Sequence, residues 1–211
     1  MTEGGPVARA ASPRTPRRRR GPRPAGADTR AEILAAARSE FAAKGYDATT
    51  LRGIARLAGV DPRLVHHYFE GKDEVFVAAV EFPAVPRTLV ARVVDPGLDG
   101  IGERMARSFF DVWDNPVGRE RLMALIVSVL SGPGAARMVR EFLTREVFVR
   151  VAAATGAQDA QLRANLAASH MVGLAIARYV LQVEPLASTD TETLVELVAP
   201  ALQRYLVGPL P

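Results

Sequence analysis

The chain has 211 residues, 48% hydrophobic and 24% charged, which suits one or two globular domains with a buried core. It contains no cysteine, so a disulfide scaffold, a zinc ribbon, an iron–sulfur cluster and a cysteine nucleophile are all excluded; its three histidines are not spaced as a metal site needs. The formal net charge of +4 is uneven: residues 1–27 hold seven arginines against one acid, residues 28–82 come to −2, and residues 83–211 to zero.

Residues 1–27 are rich in Pro, Ala, Gly and Arg, with almost no large apolar side chain. Such a segment cannot bury enough surface to offset its ordering entropy, so it is expected to be a disordered arm attracting nucleic-acid phosphates. Arg17–Arg20 is followed by Gly-Pro-Arg-Pro instead of an apolar run, so neither a secretory nor a twin-arginine signal is expected. The longest charge-free apolar stretches, Leu122–Ala136 and Ala164–Ala177, fall short of the ~20 residues a bilayer span needs. No membrane association is expected, and a cytoplasmic location is.

From residue 28 the texture turns helical. Asp28 or Thr29 can cap a helix whose inner face is Ile33, Leu34, Ala37 and Phe41, and Gly45 suits a left-handed stop. Thr49 or Thr50 then caps a second helix with Leu51, Ile54 and Leu57/Ala58 facing inward, ended by Gly59. Asp61 caps a short third helix, and Pro62 sits in its first turn, where the missing N–H is harmless. Asp73 and Glu74 open a fourth helix, at the end that favours negative charge.

Two short helices joined by Ala58-Gly59-Val60 match a helix-turn-helix, with the third helix placed to enter a major groove. The run from Ala48 to Val60, the segment His67-Tyr68-Phe69-Glu70-Gly71-Lys72-Asp73-Glu74-Val75-Phe76, and the preceding Phe41-Ala42-Ala43-Lys44-Gly45-Tyr46 together resemble the tetracycline-repressor (TetR) family of transcriptional regulators. The resemblance covers about 50 residues at motif level. It departs from the family at His66, where many members have tyrosine, and at Arg63 and Leu64, where small residues are common. The fold assignment survives those changes; the operator sequence cannot be carried over.

The resemblance and the residue chemistry together nominate Thr50, Arg52, Arg63, His66, His67, Tyr68 and Lys72 as DNA contacts. Arginine can grip guanine O6 and N7 bidentately, which suits Arg52 and Arg63. The two histidines could donate to a base or a phosphate. Thr50, Tyr68 and Lys72 read as phosphate clamps. The plainer alternatives are that Thr50 is an N-cap, that Arg52 and Arg56 are solvated charges, and that Leu64 packs instead of meeting a thymine methyl. Val60, Val65 and Phe69 read as core.

The fourth helix is interrupted at Phe82-Pro83-Ala84-Val85-Pro86, and a second break falls at Asp95-Pro96-Gly97. Helical stretches follow over 98–114, 117–131, 134–154, 159–183 and 190–206, the last containing Pro200. The stretch 117–131 is apolar nearly all round and is expected to be central. The fold class is therefore all-α: a three-helix helix-turn-helix domain over 28–82 and a larger helical domain over 83–211, about nine helices in all. The resemblance implies that the last two long helices form a four-helix homodimer interface. Small residues crowding 164–177 support close helix contact, there or inside one protomer.

Between the helices of the second domain an effector pocket is expected, with Met105, Phe109, Trp113, Met123, Phe142, His170 and Met171 as candidate liners. His170 reads equally as a core histidine, and Arg178 is expected to pair with Glu184 or with an acid across the dimer. No nucleophile elbow, P-loop, dinucleotide fingerprint or HExxH occurs, so neither catalysis nor a cofactor is expected. The function implied is a ligand-responsive DNA-binding regulator, expected to be a repressor, that sits as a dimer on a palindromic operator in double-stranded DNA and is released by a small-molecule effector. The alternative is a helical protein-interaction adaptor that no longer reads DNA.

Overall fold

The computed structural model describes Met1 and residues 27–210; between Met1 and Ala27 the expected basic arm lies outside the described residues. Helix α1 (Ala27–Ala48) buries Ile33, Ala37 and Phe41 completely, the inward face read from their spacing. Gly45 takes φ 84°, so regular helix stops at Lys44 and the chain turns Tyr46 inward. Then follow α2 (Leu51–Ala58), α3 (Pro62–Tyr68) and α4 (Lys72–Val80).

Beyond the break at 81–85 come α5 (Pro86–Val94), α6 (Ile101–Trp113) and α7 (Pro116–Ser131). Helix α8 (Pro133–Leu143) runs through a π-helical turn (Thr144–Phe148) into α9 (Val149–Thr155), making one rod over 133–155. Helix α10 (Ala160–Ala175) likewise continues into a π turn (Ile176–Val180), and α11 (Thr191–Val207) closes the chain. The described residues thus form ten rods and no strand. The tenth is α5, which the proline-rich break separates from α4 as a helix of its own.

Two hydrophobic cores result. The first gathers Ile33, Phe41, Tyr46, Ile54, Val65, Val75 and Phe76, and it also takes Met138, Val139 and Phe142 from α8. The second gathers Ile101, Phe110, Val151, Ala167, Met171, Leu194, Leu202 and Leu206. The 133–155 rod feeds both. In the second core α6 lies tightly on α11: a Cβ on Gly102 would fall 2.5 Å from the Gln203 backbone nitrogen. The Gly102 N–H donates to Gln203 Oε1 at 2.9 Å, and Gln203 Nε2 donates to the Leu98 carbonyl at 2.9 Å. Pro200 is accommodated inside α11, one turn from this crossing.

Helix α7 corrects an expectation. Its apolar girth predicts a central helix, yet Gly118 is its one buried residue, and Val127 and Leu130 are 61% and 81% exposed. One side of α7 meets α6 and α8, and among the described residues much of the other side is exposed.

Candidate nucleic-acid interface

The helix-turn-helix is fixed by its caps. The Gly53 N–H donates to Thr50 Oγ1 at 3.1 Å, so Thr50 is the N-cap of α2. The buried Thr49 hydroxyl donates to the Gly45 carbonyl at 2.7 Å. Gly59, at φ 69°, supplies the left-handed residue that ends α2. The Arg63 N–H donates to Asp61 Oδ1 at 2.8 Å, starting α3. With Val65 and Phe69 buried beneath it, α3 turns Arg63, His66 and His67 to solvent at i, i+3 and i+4, on one face.

Arg52 and Arg56 are exposed on α2 beside that face, with Leu57 and Leu64 exposed among them. Neither Arg52 nor Arg63 has an ion pair or hydrogen-bond partner for its guanidinium among the described residues. Tyr68 is half-buried, its ring edge-on to His67 at 5.2 Å. A surface of unpaired cations and imidazoles with two apolar side chains suits base edges and thymine methyls in a major groove.

Lys72 sits differently from a free clamp. Its ammonium donates to the Tyr46 carbonyl at 2.8 Å and the Asp47 carbonyl at 3.4 Å, 4.3 Å from the Tyr46 ring centroid. Burial, and then the Arg145 charge, hold it below the usual lysine range. It satisfies two carbonyls of the turn that follows Gly45.

Those carbonyls belong to a junction that sequence reasoning missed. The Tyr46 hydroxyl donates to Glu146 Oε1 at 2.8 Å, across 100 positions of chain. Glu146 is buried in the π turn and pairs with Arg150 at 2.7 Å. Burial first, and the bond to Glu146 second, push the Tyr46 phenol far above its usual range. Beside it the Asp47 N–H donates to Glu141 Oε2 at 3.1 Å, and Arg145 lies 3.4 Å from Asp47. Arg87 at the start of α5 reaches Glu70 at 3.2 Å and Asp73 at 3.5 Å. The positive φ at Gly45 was visible in the sequence; its partners a hundred residues away were not.

The seven expected effector liners do not gather in one place. Phe142 is fully buried in the first core, stacked on Phe76 at 4.2 Å. Met105 and Phe109 pack on the second core, Met171 is buried in it, and Trp113 stacks on Tyr179 at 5.0 Å. His170 lies half-buried beside Tyr205 at 5.9 Å, and Met123 is half-buried on α7. Arg178 differs from its expected pairing with an acid: it donates to the Leu186 and Thr189 carbonyls, both at 2.7 Å.

Three cavities, of about 310, 370 and 420 Å³, are lined by other residues. The first holds the buried Ser108 hydroxyl, unpartnered among the described residues, but its three cations and three acids balance and are engaged: Arg92 pairs with Asp111 and Arg107 with Glu192, Arg104 donates to the Val93 and Asp99 carbonyls, and Asp114 accepts from Tyr179 and Thr191. Among the described residues no cluster could hold a metal ion, and no helix is long and apolar enough to cross a membrane.

The sequence matches two family descriptions: "Bacterial regulatory proteins, tetR family" over residues 33–79 and "Tetracyclin repressor-like, C-terminal domain" over residues 99–206. The HTH-type transcriptional regulator EthR of Mycolicibacterium smegmatis is 32% identical over 96 residues, 46% of this chain and 41% of that protein. The chain therefore matches less than half the length of that curated relative. A TetR-family regulator of known crystal structure from Streptomyces coelicolor A3 is 40% identical, covering 88% of this chain and 98% of its own, with a TM-score of 0.43. A transcriptional regulator from Rhodococcus sp. Rha1 is 22% identical, covering 86% and 99%, with a TM-score of 0.47. The helix-turn-helix and the helical domain that follows it are thus both family features, and the chain belongs to the tetR family of bacterial transcriptional regulators.

Proposed function

We propose that two copies of this chain bind an inverted-repeat operator in cytoplasmic double-stranded DNA, repress transcription there, and are released by a small-molecule effector. The observation that carries the reading is the outward face of α2 and α3, where Arg52, Arg63, His66 and His67 are exposed and the two guanidiniums are unpaired among the described residues. Thr50, Tyr68 and the arginines of residues 1–27 supply the phosphate contacts.

The homodimer is supported by a stripe on α10 and its π turn. Leu162, Ser169, Val172, Gly173, Ile176 and Val180 are exposed at helical spacing, and Leu197 on α11 is 69% exposed. An apolar stripe with a glycine in it is suited to close packing against a second copy. A two-fold axis there would set two α3 helices into successive major grooves, ~34 Å apart. An effector binding unequally to the DNA-bound and free states would shift operator affinity by that difference.

The test is to incubate the purified chain with sheared genomic DNA and sequence what is retained. A few fragments sharing an inverted repeat are expected. Retention of unselected DNA, or of none, refutes the reading and favours the adaptor.

A further inference from the structure

The 420 Å³ cavity lies at the junction of the two helical units, between α1 and α4 on one side and α7 and α8 on the other. Its size is that of ordinary small-molecule sites, ~300–1,000 Å³. Its walls are mostly apolar: Ala42 and Ala79 face Leu125 and Met138. Two guanidiniums stand in this setting. Arg38 donates from Nε to the Ala79 carbonyl at 2.7 Å, which pins its plane to the wall and leaves its fork able to meet a carboxylate. Arg121, on α7, has no hydrogen bond or ion pair among the described residues, and it also borders the neighbouring 370 Å³ cavity. Glu81 is the one acid in the lining, so the groove carries a positive balance. The balanced, engaged charges of the Ser108 cavity make no such demand.

We infer that this groove binds a carboxylate carried on an apolar body, with the body between α4 and α7 and the headgroup at Arg121 and Arg38. The inference deepens the proposed function by naming the chemical class and place of a regulatory ligand, and it rests on that reading only for what the ligand regulates. A molecule in the groove touches the helices that carry the DNA-binding face and the helices of the second unit together. Its affinity is then linked to their relative placement, and so to operator affinity.

Binding is measured by calorimetry on the full chain without DNA, so failure here and failure of the operator reading are separate results. The probes are decanoate and 2-naphthoate, with decyltrimethylammonium and acetate as controls. One site per chain is expected for at least one of the two carboxylates, with both controls bound at least ten-fold more weakly. Arg121→Gln should weaken that binding about ten-fold. Ala124→Trp and Ser128→Trp, which fill the groove from the exposed side of α7, should each abolish it without lowering the unfolding temperature. The inference is overturned if neither carboxylate binds, if decyltrimethylammonium binds as well, or if the two tryptophan variants bind like the parent. Loss of binding in a monomeric variant with an intact groove also overturns it, since the site then belongs to the subunit interface.

Discussion

Phe142→Ala tests whether the N-terminal unit closes its own core. Phe142 belongs by sequence to the second unit, yet it is fully buried against Phe76 at 4.2 Å, Tyr46 at 5.3 Å and Phe82 at 5.6 Å. Truncating a buried phenylalanine costs ~3–5 kcal/mol. Three ring pairs, each contributing ~0.5–1.5 kcal/mol beyond area, place this site at the upper end of that range. Against a usual total of ~5–15 kcal/mol, the loss is a third or more of the stability of a typical domain. Urea unfolding followed by circular dichroism measures it, and amide hydrogen exchange locates it. Protection should fall in α1 and α4 at least as much as in α9 to α11, and operator binding with it, because α2 and α3 stand on α1. A loss under about 1 kcal/mol, or one confined to α9–α11, would refute the shared core.

Arg52→Ala and Arg63→Ala should each weaken the preferred site by ~1–3 kcal/mol and relax selectivity at one base pair in a binding-site selection; equal weakening on all sequences would make them phosphate contacts. Leu197→Glu places a carboxylate on the outward stripe of α11 and should yield monomers in sedimentation with weakened operator binding, whereas an intact dimer would move the interface elsewhere. Deleting residues 2–27 should weaken DNA binding and steepen its loss with salt less than in the parent, while a changed consensus would give the arm a reading role. Tyr46 keeps its proton when folded to a pH well above the usual 10.0, so above pH 10 the folded state binds more protons than the unfolded one. Its contribution to stability is complete below pH 10 and falls by ~1.4 kcal/mol per pH unit above it. Lys72, lowered from 10.5, acts in the opposite sense below that pH, so the decline should be plain above it. Denaturant titrations of Tyr46→Phe should show a shallower alkaline slope than the parent; an unchanged slope would refute the assignment.

The N-terminal half was legible because its signals are local. Thr50, Gly59 and Asp61 each act on residues within a few positions, and a cap or a positive φ leaves a mark on sequence. The outward face of α3 followed from the same spacing that buried Val65 and Phe69. Legibility ended where contacts became distant. Phe142 read as a pocket aromatic because a phenylalanine at helical spacing carries no sign of which core it enters. Lys72 read as a clamp from its place at a helix start, but the carbonyls it meets are presented by the turn after Gly45. On α7 apolar residues all round read as central burial, when they equally describe a helix with one face exposed among the described residues.

The 133–155 rod gives these distant contacts a common consequence. Its first half lends Phe142 to the core beneath the DNA-binding face, its last turns lend Val151 to the second core, and the π turn lies between. A π turn places an extra residue in the helical repeat, so the two halves present different faces to the two cores. Glu146 sits in that turn and is bonded to Tyr46 at the end of α1. A hydrogen bond to a charged group contributes ~1.5–3 kcal/mol. The coupling between two sites in an allosteric protein is ~1–3 kcal/mol. One such bond is therefore of the size needed to link the state of the second core to the placement of α1. On the proposed function, an effector's influence need not cross the proline-rich break between α4 and α5; it has a continuous rod and a buried bond to act through. A double-mutant cycle between Tyr46→Phe and Glu146→Gln, read as effector-dependent operator affinity, should leave a coupling of that order. Full effector response in both single variants would place the route elsewhere.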